Sequence, residues 1–85
     1  RMHEQLKAKL AHLRESLSSI EQLDEESRSL LSQLDEDIQG VLAGQSSDDS
    51  LDSRIEQQAV QFEGKHPQMS AILRDIMDAL SKMGI

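Results

Sequence analysis

The sequence predicts an all-α protein, a small antiparallel bundle of four helices. Three observations lead there. The apolar side chains are nearly all Leu, Ile, Met, Val and Ala, with Phe62 the one aromatic. β-favouring residues are scarce, and Thr, Tyr and Trp are absent altogether. The large apolar residues recur every three or four positions, the spacing that lays them along one side of a helix. A core without large rings must be built from interlocking aliphatic chains, which helix-on-helix packing achieves more readily than sheet-on-sheet. At 85 residues the chain has room for one domain, read as residues 2–85, near the size at which a single core is only marginally sufficient. Arg1 ahead of Met2 is read as an added residue, with Met2 the native start.

The first helix is carried by Leu6, Leu10, Leu13, Leu17 and Ile20, the narrow stripe of bundles and coiled coils. The stretch SSIEQLDEES interrupts it. Asp24 followed by Glu25 and Glu26 predicts a new start, because the Asp carboxylate accepts free backbone N–H groups and the two Glu sit at the positive end of the dipole. The second helix runs from Asp24 to Ala43 on Leu31, Leu34, Ile38 and Val41, with Leu30 and Leu42 widening the stripe, and ends at Gly44 as a left-handed cap. GQSSDDS is a polar loop rich in capping types. The third helix begins near Asp49, the Asp cluster capping it, and uses Leu51, Ile55, Ala59 and Phe62. The fourth carries Met69, Leu73, Ile76, Leu80 and Met83, with Ile72 and Met77 alongside. Gly84 followed by Ile85 predicts a Schellman close, with Ile85 folding back on the last turn.

The stripes admit an alternative. Positions 6, 13, 20, 27, 34 and 41 recur at sevens through Asp24, and 55, 62, 69, 76 and 83 do so through Pro67. Two long rods, the last pair of helices being one helix kinked at Pro67, satisfy the same spacing. Asp24 and Ser27 in seam positions disfavour an unbroken first rod, and four helices are preferred.

The formal charge is −7, unevenly placed: +2 over residues 1–20, −10 over 21–63 and +1 over 64–85. A basic first segment beside an acidic middle is expected to lie against it or to meet an acidic partner. The balance argues against binding a phosphate backbone, which needs a concentrated cationic face. There is no cysteine, hence no disulfide and no thiolate chemistry. No run reaches the ~18 apolar residues of a membrane span, and no signal peptide is legible. A cytoplasmic location is expected.

Glu63-Gly64-Lys65-His66 fits E-x-x-H, the spacing with which helical bundles hold di-iron sites. That chemistry needs both residues on one face of an unbroken helix and a matching motif opposite. Gly64 weakens the helix between them, Pro67 drives His66 out of helical backbone, and no second copy of the motif exists. Glu63 and His66 are therefore weak metal candidates, better explained by a corner at which Phe62 and Met69 pack on either side. Asp48, Asp49 and Asp52 lack the alternation and closing Glu of a calcium loop. His3 and His12 do not share a helix face cleanly, and no Ser pairs with a His and an acid at a readable spacing. Met69, Met77 and Met83 are read as core before adaptable surface. No catalytic residue and no cofactor is expected.

The stretches LDEESRSLLSQLDEDI and FEGKHPQMSAILRDIMDALSKMGI resemble a family of short bacterial proteins, domain-of-unknown-function family 4404. The resemblance implies a small helical protein without assigned activity, substrate or cofactor. It marks Phe62, Glu63, His66, Pro67 and Gly84 as positions of interest, with Gly64 and Lys65 variable. The function expected is a non-enzymatic module for protein–protein contact, most simply a homodimer, with an unidentified protein as another partner and neither nucleic acid nor membrane. The alternatives are a metal- or ligand-binding bundle, and an acidic nucleic-acid mimic seated on a basic protein.

Overall fold

A computed structural model of the chain describes residues 2–45 and 49–85. Among them are four helices, α1 (Met2–Ser19), α2 (Glu25–Leu42), α3 (Leu51–Phe62) and α4 (Pro67–Lys82). The long-rod alternative is not what forms. The chain leaves helical backbone at Asp24 (ψ 161°) and again at His66 (φ −136°, ψ 71°), directly before the proline. Arg1 and Asp48 lie outside the described residues.

Each helix packs on its chain neighbour, and α4 closes the ring by packing on α1. The contacts run antiparallel. On α3 and α4, the Ser70 hydroxyl donates to the Ala59 carbonyl at 2.7 Å, and Arg74, one turn later, reaches back to Glu56 at 3.0 Å. On α1 and α2, Arg14 pairs with Asp35 at 2.9 Å, and Arg28 reaches the later Leu17 and Ile20 carbonyls. The basic first segment thus lies along the acidic second helix. α4 lies close along both α1 and α3, whereas α2 and α3 touch most sparsely.

All four stripes turn inward. Leu6, Leu10, Leu13, Leu31, Leu34, Ile38, Ile55, Met69, Leu73, Ile76 and Leu80 are almost completely buried, and Leu17, Leu51, Ala59, Phe62 and Ile72 join them. Leu23, outside any stripe, is buried as well. Ile20, Val41, Leu42, Met77, Met83 and Ile85 pack partly against this core. Leu30 departs from expectation: it is 43% exposed instead of widening the α2 stripe, and lies at the margin between α2 and α3.

The ends of the helices follow local chemistry. The Asp24 carboxylate accepts the Ser27 N–H at 2.9 Å. α2 closes with Gly44 at φ +92°, its N–H donating to Val41 while the Gln45 N–H donates to Gly40, both at 3.0 Å. α4 repeats this: Gly84 has φ +81°, its N–H bonds Ser81, and the Ile85 N–H bonds Leu80. Both are complete Schellman closures. α3 starts at Leu51 with Ser50 in the cap position, close to the start expected near Asp49, which lies in the preceding turn. Among the described residues no helix is long and apolar enough to cross a membrane.

Candidate functional site

Two places on the bundle gather the residues of interest. The first is the end where the 20–24 connection and the 63–66 corner meet. His66 joins the two last helices through its backbone: its N–H donates to Phe62 at 2.9 Å and its carbonyl accepts from Ser70 at 3.1 Å. Its half-buried ring stands against Phe62, centroids 5.7 Å apart and planes tilted by 54°. Pro67 takes the first helical position, where its missing N–H costs nothing. Asp24, Ser27, Phe62, Lys65 and His66 line a shallow cleft of about 280 Å³ here. The Ser27 hydrogen bonds hold the Asp24 carboxyl below the ordinary carboxylate range, with a smaller contribution from the Lys65 charge. Gly84, the remaining position of interest, closes α4 at the opposite end of that helix.

Glu63 and His66 are not brought together as ligands. Glu63 ends α3 and sends its carboxylate to Arg74 at 2.9 Å, on the outer surface between α3 and α4. Arg74 bridges Glu63 and Glu56, and the two carboxylates raise its pKa. The His66 ring instead turns to Phe62. Among the described residues no three His, Asp or Glu side chains gather as a metal-binding set. His3, His12, Asp49 and Asp52 are exposed.

The second place was not legible from spacing. Where α2 and α3 touch most sparsely, a groove of about 300 Å³ opens, lined by Glu26, Leu30, Gln33, Leu34, Arg54 and Gln58, with further glutamines of α3. Arg54 is held by Asp37 at 2.8 Å. Gln58 is only 6% exposed, and its Oε1 has no hydrogen-bond partner. The outer side of α2 adds exposed Glu25 and Glu36. The one signal in the sequence was chemical, not periodic: the clustered glutamines Gln57, Gln58 and Gln61 of α3, with Leu30 at the margin of the α2 stripe.

Compared with known proteins, residues 6–85 match the model of a family described as domain of unknown function (DUF4404). No curated protein and no solved structure matches the chain.

Proposed function

The chain belongs to the DUF4404 family, and we propose that it is a non-enzymatic module for protein–protein contact, self-association as a dimer being its simplest form. The observation that carries this is where apolar surface remains. The four stripes are consumed inside the bundle, yet among the described residues two large apolar side chains stay outside, Leu30 of α2 at 43% and Val60 of α3 at 53% exposure. A solvent-facing apolar residue within an acidic, glutamine-rich surface has the composition of a contact face: an apolar centre with a polar rim. Pairing does not complete the core, since the chain closes its own; it covers outer surface. A cytoplasmic location belongs to the same reading, as the chain has no cysteine and carries an acidic charge of −7.

Size-exclusion chromatography with light scattering tests self-association. The expected particle has twice the 9.5 kDa chain mass and dissociates on dilution. A monomer at every concentration up to the millimolar range would remove the dimer from the proposal.

A further inference from the structure

The groove between α2 and α3 specifies a kind of occupant. We infer that it docks a basic amphipathic helix of another protein, one that seats an apolar side chain beside Leu30 and presents Lys or Arg to the α2 acids. This rests on the reading of the chain as a protein-contact module and names the partner for that surface.

Three independent observations converge. The first is shape with apolar character: the groove is about 300 Å³, and Leu30 and Leu34 contribute to its lining. The second is charge. Glu26 lines the groove and Glu25 and Glu36 stand exposed on the same helix. The two arginines of α2 and α3 do not outweigh them: the two helices together carry seven acidic residues against Arg28 and Arg54. The surface therefore presents net negative charge to an incoming segment and steers cationic partners toward it. The third is an unmet hydrogen bond. Gln58 lines the groove, is nine-tenths buried, and its Oε1 has no donor. A buried amide oxygen without a partner is destabilising where it stands. Because the terminal torsion of Gln is broad, a modest rotation turns that oxygen toward an N–H donor entering between the helices. Lys and Arg carry only donors, and so do the free N–H groups of a helix start.

A second copy of this chain fits this groove less well, so the dimer proposed above would pair through other surface, such as that around Val60. Two-fold pairing through this face would set the α2 acids against themselves. Among the described side chains, the exposed apolar residues of α1 are the small Ala8 and Ala11, which offer little to seat beside Leu30. A nucleic acid or an anionic lipid surface is repelled by the same charge.

The test uses the full chain and a fluorescein-labelled amphipathic helix of Lys and Leu, about 14 residues or four turns long. A Glu–Leu helix of the same pattern is the control. The Lys–Leu helix is expected to bind and the Glu–Leu helix not. Leu30→Asp should weaken binding by about tenfold or more, the scale of losing an interface anchor, although it adds a negative charge. Ala71→Asp, exposed on α4 and outside the groove lining, adds the same charge and should leave binding unchanged or tighter. On the unsubstituted protein, the largest NMR shifts should fall on the Leu30 methyls and the Gln58 side-chain amide. Equal or tighter binding by Leu30→Asp would mean charge alone attracts the helix, and would overturn the inference. So would absence of binding, or shifts centred on α1 and α4. A chain that dimerises by light scattering yet ignores the Lys–Leu helix would sink the groove assignment while leaving the contact reading intact.

Discussion

Asp24 shows how much one side chain can do at a helix start. Its carboxylate accepts the Ser27 N–H at 2.9 Å while its carbonyl accepts from Arg28 at 3.0 Å, so α2 begins with its first orphan donor satisfied. The Ser27 bonds hold its pKa below the ordinary carboxylate value. A depressed folded pKa adds stability that is present above the unfolded value of roughly 4 and is lost as the pH falls through the folded value. Asp24→Ala should therefore lower the melting temperature at pH 7, and the gap from the parent should close in titrations carried below about pH 4. A gap that stays constant down to pH 2 would rule out the carboxylate as its source. The glycines separate in the same way. Gly84 stands at φ +81°, where a side chain is strained, so Gly84→Ala should destabilise by about 1 kcal/mol. Gly64 has no positive φ and open space where a Cβ would point. Gly64→Ala should leave stability unchanged or raise it by about 0.4–1 kcal/mol, because it narrows the unfolded ensemble. Urea unfolding of the two variants side by side checks both signs.

At the scale of the helices, the closures divide into those a helix makes for itself and those a neighbour makes for it. α2 and α4 end on their own glycines. α1 has no such residue and no basic side chain in its last turn. Its last carbonyls are met instead by Arg28 of α2, which donates to Leu17 and, at 3.0 Å, to Ile20. α3 borrows similarly: its Ala59 carbonyl, in the last turn, accepts the buried Ser70 hydroxyl of α4. These borrowed caps tie an end to a partner helix, so losing one loosens both the end and the interface. Arg28→Met keeps most of the aliphatic stem and should cost about 1.5–3 kcal/mol, the range for hydrogen bonds from a charged donor. Hydrogen exchange should localise that loss to residues 16–20. A uniform loss over all four helices would argue that Arg28 acts through general packing instead.

For the molecule as a whole, the Cα radius of gyration of 12.0 Å equals the ~12 Å expected of a compact monomer of this length. The largely aliphatic core is thus closed within one chain, and its stability depends on fit because Phe62 is the one aromatic ring in it. Leu73, fully buried on α4, is the sharper probe: Leu73→Ala should destabilise by about 2–5 kcal/mol. Leu30→Ala, at a position already 43% exposed, should fall near zero. Both are read from thermal melts. Similar losses at the two sites would mean that Leu30 is covered in solution, which the light-scattering measurement would then attribute to a second copy.

What the order of residues settled without help is whatever acts within one turn or one repeat. The spacing of Leu6 through Leu17 and of Met69 through Leu80 assigns a buried side to each helix; Asp24, Gly44 and Gly84 mark where helices begin or stop; Pro67 and His66 make a corner. Each of these depends on residues at most a few positions apart, where backbone geometry alone decides who meets whom. Residues brought together through space were decided by the tertiary structure. Glu63 turns to Arg74 rather than to His66, Arg28 caps a helix eleven residues earlier, and Leu30 and Gln58 line one groove while neighbouring Leu31 is fully covered. Periodicity says that a helix has a side to bury, but the closeness of its neighbours determines how wide that side is. α2 meets α3 only sparsely, and the surface this leaves uncovered is the one proposed above to receive a partner.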